Sequence, residues 1–193
     1  MSNDVASKWN SRYKNDFSYN GDKPRQYLVD QMSLIPKNSF VLDIAMGAGG
    51  NASYLQKCGM QVIGVDISDF AVRICKKRTP ELMAVIADLT AFPLPLKHFD
   101  AIFNFYYLQR DLLLKISDYL KPCGLVIVET LTKRMLEIKP EISKENLLEE
   151  GELLSIFSGW DIINYGEGLY PSSKGSKKAI ARITARLPIQ IEG

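Results

Sequence analysis

The feature that most constrains the fold is a glycine-rich turn that follows a short apolar run. Residues 41–51 read VLDIAMGAGGN, and three of the four residues in 47–50 are glycine. The apolar run lacks polar alternation, which indicates a strand buried on both faces of a parallel sheet. Glycine allows positive φ and close approach of backbone to a ligand. Between a strand and a helix, such a turn predicts a nucleotide-like ligand at the carboxyl edge of an open α/β sheet.

The rest of the chain repeats the strand and helix pattern. Further apolar strands are predicted at residues 61–65, 82–86, 99–105 and 125–129, with helices beginning near 22 and at 51–59, 68–78 and 109–120. Such alternation predicts parallel strands joined by right-handed crossovers. The last third differs: a helix at 151–157 precedes strand-like runs at 160–165 and 179–187, joined by PSSKGSKK, which predicts an antiparallel hairpin.

These elements predict an α/β fold: a doubly wound, mostly parallel seven-stranded sheet with helices on both faces and a C-terminal antiparallel hairpin. No linker composition divides the chain, so residues 1–193 are expected to form one domain, with residues 1–22 as a lid segment. A chain of 193 residues, 46% of them hydrophobic, can bury a full core.

Composition excludes several function classes. The formal net charge of +2 does not by itself indicate nucleic acid, and no run approaches the roughly 18 apolar residues of a membrane span. Three scattered cysteines and one histidine predict neither a disulfide framework nor a metal site. We expect a cytoplasmic protein without a membrane or metal partner, either a monomer or a weak homodimer.

Two ligand classes fit the turn. Gly47, Gly49 and Ala52 satisfy the G-x-G-x-x-A form of the dinucleotide fingerprint. Asp66 ends the second strand, where a carboxylate can accept both hydroxyls of a ribose. Both features suit either a nicotinamide or flavin dinucleotide or S-adenosylmethionine, so they leave the ligand open.

Asp43 favours S-adenosylmethionine. It lies inside the first strand, four residues before Gly47. An acid there would repel the pyrophosphate of a dinucleotide, whereas the ammonium and sulfonium groups of S-adenosylmethionine are cations that a carboxylate attracts. A second interpretation is that Asp43 only holds the amides of the glycine turn.

The chain resembles the class I S-adenosylmethionine-dependent methyltransferases over nearly its whole length. The resemblance rests on VLDIAMGAGGN, VIGVDIS, FDAIFNFYYLQRDLL and YLKPCGLVIVET, and on the C-terminal hairpin. Within that family it is similar to the small tellurite-resistance-like group, through W-x-x-R-Y at residues 9–13 and Asn51 after the turn. It departs from the usual D-x-G-x-G-x-G motif at Ala45, which stands in place of the first glycine.

The resemblance implies specific roles for individual residues. Asp43 and the backbone of the turn would face the methionyl part, Asp66 would hold the ribose, Ile67, Asp88 and Leu89 would surround the adenine, and strand four would end beside the sulfonium. With a lid from Trp9, Arg12 and Tyr13, the predicted cofactor-binding residues are Tyr13, Asp43, Ala45, Gly47, Gly49, Asn51, Asp66, Ile67, Asp88, Leu89, Asn104 and Phe105.

The acceptor side is less defined. Tyr107 is expected to orient an acceptor and Arg110 to neutralise an anionic one, so both are predicted catalytic residues. No N-P-P-Y motif follows strand four, which argues against a flipped nucleobase as substrate. We predict methyl transfer from S-adenosylmethionine to a small-molecule thiol, chalcogen or anion by in-line displacement. The basic stretch at 171–187 keeps an RNA acceptor possible though not favoured. A protein acceptor and a dinucleotide-binding oxidoreductase also remain open.

Overall fold

The computed structural model describes residues 2–16, 21, 23–172 and 175–189. Its helices are α1 Ser2–Asn15, α2 Gln26–Asp30, α3 Gly50–Lys57, α4 Asp69–Arg78, α5 Arg110–Leu114, α6 Ile116–Tyr119 and α7 Glu152–Ile156. Its strands are β1 Phe40–Ile44, β2 Gln61–Asp66, β3 Met83–Ile86, β4 Phe99–Phe105, β5 Leu120–Leu131, β6 Asp161–Pro171 and β7 Lys177–Arg186.

The described strands form one seven-stranded sheet in the order β3-β2-β1-β4-β5-β7-β6. The first five strands run parallel, and β7 is antiparallel to both β5 and β6. The predicted doubly wound sheet with a C-terminal antiparallel hairpin is therefore confirmed. The strand order reverses direction between β1 and β4, and ligands of open α/β sheets bind at the carboxyl ends of strands beside such a switch.

Each face of the sheet carries its own apolar core, which is why its strands read as continuous apolar runs. On one face Leu42, Ile102 and Val126 pack against residues of α5, α6 and α7. On the other face Val41 and Phe103 pack against residues of α2, α3 and α4. Alternate residues of one strand point to opposite faces, so both sets are buried by helices.

Some predicted boundaries are wrong, for local reasons. The helix predicted over 109–120 is broken at Lys115, and the chain enters β5 at Leu120 instead of Leu125. The helix predicted to open at Asp22 forms only from Gln26; Asp22 itself lies outside the described residues, as do positions 173 and 174 of the predicted hairpin loop. The N-terminal helix α1 has no counterpart among the predicted elements.

Within the part of the chain that the structure describes, no helix is long and apolar enough to cross a membrane. The same residues include no group of three or more His, Cys, Asp or Glu side chains arranged to hold a metal ion.

Candidate active site

The glycine turn between β1 and α3 is built from residues in the left-handed region. Gly47 and Gly49 have φ of 57° and 77°, and Ala45 has φ of 51°. The turn is fixed at both ends, because the Met46 amide donates to the Val65 carbonyl at 3.0 Å and the Gly49 amide donates to the Met46 carbonyl at 3.0 Å. Ala45 therefore stands where glycine is favoured, and its Cβ adds backbone strain to the turn.

Asp43 lies beneath this turn and is 1% exposed. The Ala52 amide of α3 donates to its carboxyl group, but the Oδ2 atom has no hydrogen-bond partner among the described residues. Burial, opposed by that amide and reinforced by the nearby Asp66, raises the pKa of Asp43 to about 8. A carboxyl group with one unpartnered oxygen and a raised pKa is ready to receive a cation, because a positive charge stabilises its ionised form.

Asp66, at the end of β2, is 6% exposed and is bonded to backbone on two sides. Its Oδ2 accepts from the Gly47 amide at 2.7 Å and its Oδ1 accepts from the Ser68 amide at 2.8 Å. Burial raises the pKa of Asp66, although these amides and that of Ile67 oppose the shift. Asp66 therefore links the glycine turn to the start of α4, and its predicted contact with a ribose would add to these bonds.

The predicted adenine side lies beside Asp66. The Oδ1 atom of Asp88 accepts from the Thr90 amide at 2.9 Å and from the Thr90 hydroxyl at 2.7 Å, and these bonds lower the pKa of Asp88. Leu89 is buried. Burial raises the pKa of Tyr107 to about 12, and the charges of Asp88 and Asp66 add to the shift, which brings Tyr107 into the same region.

The end of β4 supplies a second buried group without partners. Asn104 is 0% exposed, and neither its Oδ1 nor its Nδ2 atom has a hydrogen-bond partner among the described residues. It pairs in register with Ile44, one residue beyond Asp43. Buried amide atoms are satisfied in most native structures, so two orphaned polar side chains at one edge of a sheet indicate a polar ligand between or beside them.

Helix α1 covers the turn. Asn10 Oδ1 accepts from the Ser68 hydroxyl at 2.6 Å and from the Phe70 amide at 3.2 Å, and its Nδ2 donates to Asp69 at 2.6 Å. These bonds fix α1 across the start of α4. The buried Tyr13 then packs beside Ala48 and lies over the turn. The predicted part of Tyr13 in a lid over the cofactor stays a prediction.

Asn10 was not predicted as a site residue. It lies inside the W-x-x-R-Y phrase, directly after Trp9, but asparagine alone gives no signal in a polar helix. Its bonds to the first turn of α4 depend on tertiary packing that the sequence does not display.

Asn51, next to the glycine turn, has a partner in another segment. Its Oδ1 accepts from the Arg25 amide at 2.8 Å, which ties the start of α3 to the segment before α2. Its predicted contact with the cofactor stays a prediction, while its visible partner is Arg25.

The two predicted catalytic residues have internal partners. The Tyr107 hydroxyl donates to Gln109 at 2.7 Å. Arg110 forms a two-pronged ion pair with Glu152, at 2.5 and 2.9 Å, and also donates to the carbonyls of Glu145 and Leu147. Because these bonds engage the guanidinium along the 145–152 segment, the geometry favours a positioning role for Arg110, and its predicted contact with an acceptor stays untested.

Part of the chain matches known proteins. Residues 41–124 match a family model described as "Methyltransferase domain". The chain is 31% identical over 104 residues to a demethylmenaquinone methyltransferase of Renibacterium salmoninarum, an alignment that covers 53% of this chain and 43% of that protein. The chain spans about half the length of the curated relatives it matches.

Solved structures share the fold at low identity. TehB of Haemophilus influenzae superposes with a TM-score of 0.71 at 18% identity, covering 87% of this chain and 64% of that one. A Haloferax volcanii methyltransferase, solved in complex with the Trm112 activator, gives a TM-score of 0.72 at 16% identity, covering 93% and 97% of the two chains.

The predicted resemblance is thereby confirmed, and the TehB likeness is consistent with the tellurite-resistance-like group. The family and fold imply S-adenosylmethionine as the cofactor, as predicted, and the dinucleotide alternative loses its support. Residues 41–124 thus match a methyltransferase domain, and most of the chain shares the fold of TehB and of the Haloferax volcanii protein.

Proposed function

We propose that this protein transfers a methyl group from S-adenosylmethionine to a small-molecule acceptor whose attacking atom is already nucleophilic, such as a thiolate or a chalcogen. When bound, the cofactor supplies a methyl group activated by a positive sulfur. The attacking atom would form a bond to the methyl carbon while the carbon–sulfur bond breaks. The electron pair of the broken bond would stay on the sulfur, which would leave as a neutral thioether.

The residues at the turn fit this cofactor. The unpartnered Oδ2 of Asp43 provides a counter-charge for a cationic amino acid group. Asp66, already bonded to the turn through Gly47, stands where a ribose would lie. The orphaned amide of Asn104 lies at the end of β4, beside the predicted place of the sulfonium. With these groups the protein can orient the donor and exclude water, which is much of what an in-line transfer requires.

The observation that carries the acceptor class is the state of the candidate bases among the described side chains near the end of β4: the two tyrosines hold their protons, and the carboxyl group of Glu129 is hydrogen-bonded with Tyr106. Burial raises the pKa of Tyr107 to about 12. Burial and the charge of Glu129 also raise the pKa of Tyr106. Neither tyrosine can take a proton from an acceptor near neutral pH. His98 lies at the other end of β4 and packs edge-on against the rings of Phe40 and Phe99, with centroid distances of 4.9 and 5.4 Å.

The test is a methyl-transfer screen with isotopically labelled S-adenosylmethionine. The acceptor panel contains aliphatic and aromatic thiols, selenite, tellurite, total RNA and a protein extract. We expect label in the low-molecular-mass thiol or chalcogen products, with faster transfer as the thiol ionises. Label that enters only RNA or protein would contradict the proposal, and RNA is the macromolecule to which the basic stretch at 171–187 would point.

A further inference from the structure

A row of four residues crosses the sheet level with the end of β4. Phe105 pairs with Glu129, Glu129 with Arg182, and Arg182 with Gly166. Adjacent strands lie about 4.8 Å apart, so Arg182 stands roughly 10 Å from the end of β4. The row therefore begins at the predicted place of methyl transfer and leads to a cation.

Arg182 is held between two aromatic rings. Its guanidinium carbon lies 4.8 Å from the ring centroid of Tyr27 and 4.2 Å from that of Tyr170. Gly166 makes room for this arrangement, because a Cβ at that position would lie 2.5 Å from the Tyr170 hydroxyl and 3.5 Å from the Arg182 Nε atom. A guanidinium that lies against aromatic rings can still bind a partner through its N–H groups.

The guanidinium of Arg182 has no hydrogen-bond acceptor among the described residues. The Nε atom of Arg182 is buried without a hydrogen-bond partner, and the described residues contain no carboxylate within 4.0 Å of its nitrogens. An unsatisfied charged donor is costly, and such a group in a native fold has a reason.

Glu129 is the obvious candidate for pairing with Arg182, because the two are partners in register. Its carboxyl group instead hydrogen-bonds with Tyr106, the residue that follows β4. The amide of Tyr106 also donates to the Glu129 carbonyl at 2.8 Å. Glu129 therefore bonds to Tyr106 at the end of β4, and the guanidinium of Arg182 can bind an acceptor from another molecule.

Tyr106 itself is held in an unusual conformation. Its φ is 62°, in the left-handed region that bulky residues rarely occupy. The Arg25 guanidinium carbon and the Lys178 Nζ atom each lie 4.5 Å from its ring centroid. Strained backbone of this kind concentrates at functional sites. Arg25 and Lys178 thus lie on the ring of Tyr106, while Arg182 is the register partner of Glu129.

We propose that Arg182 binds a carboxylate of the methyl acceptor, so that the acceptors are small organic acids whose nucleophilic atom lies several ångströms from the carboxylate. This inference rests on the proposed function and narrows it. A guanidinium edge offers paired N–H donors whose spacing matches the two oxygens of a carboxylate.

The test compares two acceptors that differ only in charge, 4-mercaptobenzoate and 4-mercaptobenzamide. For the wild-type enzyme we expect kcat/KM at least tenfold higher for the carboxylate. In Arg182→Met this preference should fall to near unity. The loss should come from a higher KM for the carboxylate, while the affinity for S-adenosylhomocysteine stays unchanged. Arg182→Lys, which keeps the charge but lacks the paired donors, should retain part of the preference.

The matched control is Lys177→Met, which removes one positive charge from an exposed position at the start of the same strand. We expect this variant to keep the wild-type preference. A preference that survives in Arg182→Met, or that is missing from the wild type, would overturn the role of Arg182 while leaving methyl transfer in place.

If the wild type methylates neither thiol, the acceptor panel still decides the proposed function, and binding decides the role of Arg182. Calorimetry would then titrate 4-mercaptobenzoate and 4-mercaptobenzamide into the protein saturated with S-adenosylhomocysteine. Carboxylate binding that is lost in Arg182→Met supports the site; equal binding of both compounds, or none, refutes it. Thermal unfolding of each variant separates lost binding from lost folding.

Discussion

The hydroxyl of Tyr13 rests directly over Gly47, so that a Cβ atom at position 47 would overlap it. The glycine is therefore required twice, once by its φ of 57° and once by the tyrosine above it. Helix α1 and the glycine turn form one packed unit through this contact.

Gly47→Ala is expected to destabilise the protein and to loosen α1. A left-handed alanine costs about 1–2 kcal/mol, and displacement of Tyr13 adds to that cost. The matched control is Gly59→Ala, which has a φ of 89° but open space around its Cβ. Urea unfolding should show that Gly47→Ala is less stable than Gly59→Ala. Hydrogen exchange of the α1 amides should be faster only in Gly47→Ala. Equal effects in both variants would mean that the Tyr13 contact contributes nothing.

Ala45→Gly is expected to stabilise the protein. Relief of a left-handed alanine gains about 1–2 kcal/mol, and the added freedom of the unfolded glycine takes back about 0.4–1 kcal/mol. Ala48→Gly, three residues along the same turn and outside the positive-φ residues, should destabilise instead. The midpoint of urea unfolding distinguishes the two. A lower midpoint for Ala45→Gly would show that the turn accommodates this alanine without strain.

The stability of the protein without cofactor is expected to decline between about pH 4 and pH 8. An aspartate has a pKa of 3.8 in the unfolded chain, and burial raises that of Asp43 to about 8. Within this window the folded state holds a proton that the unfolded state has released. The free energy of unfolding therefore falls as pH rises, and it levels off above the folded pKa.

Asp43→Asn should flatten that profile, because the amide oxygen can still accept from the Ala52 amide and carries no charge. Asp66, whose pKa is also raised, would leave a residual slope of the same sign. Urea unfolding at several pH values checks this. Binding of S-adenosylmethionine near pH 7 should also release protons from the wild type, and calorimetry in buffers of different ionisation enthalpy measures them. A wild-type profile that rises with pH would contradict the assignment.

Arg110→Met is expected to weaken the anchoring of the 145–152 segment more than the chemistry. The Arg110 side chain is 40% exposed, so its ion pair with Glu152 contributes only about 0.5–1 kcal/mol and depends on salt. Arg134→Met, which removes an exposed pair with Glu137, should change stability little. Unfolding at low and high salt and the acceptor KM are the readouts. A large rise in KM at unchanged stability would support the predicted acceptor contact instead.

The sequence predicted most of the sheet because its strands are apolar enough to be buried on both faces. The predicted strand at 99–105 coincides with β4, and the Gly47 and Gly49 turn lies where the motif placed it. Asp43 was identified as significant because an acid there would repel a pyrophosphate and attract the cationic groups of S-adenosylmethionine. In the structure, its Oδ2 atom has no hydrogen-bond partner among the described residues.

Other features depend on contacts between distant segments. Helix α1 has a polar sequence, and its position follows from the bonds of Asn10 to α4 and from the packing of Tyr13. Glu152, the partner of Arg110, lies 42 residues away along the chain, so the sequence alone does not show the pair. Arg182 was not a predicted site residue, because in the sequence it is one basic residue among several. Only the pairing of β5, β6 and β7 brings it level with the end of β4.

Arg25 connects the two halves of the site. Its amide is held by Asn51, the second residue of the helix that begins at the glycine turn, and its guanidinium lies on the ring of Tyr106. A shift of the turn when the donor binds would therefore move Arg25 and the ring of Tyr106, beside the proposed position of the acceptor. For an enzyme built this way we expect a compulsory order of addition, with the donor first and the acceptor second, and product inhibition patterns to match.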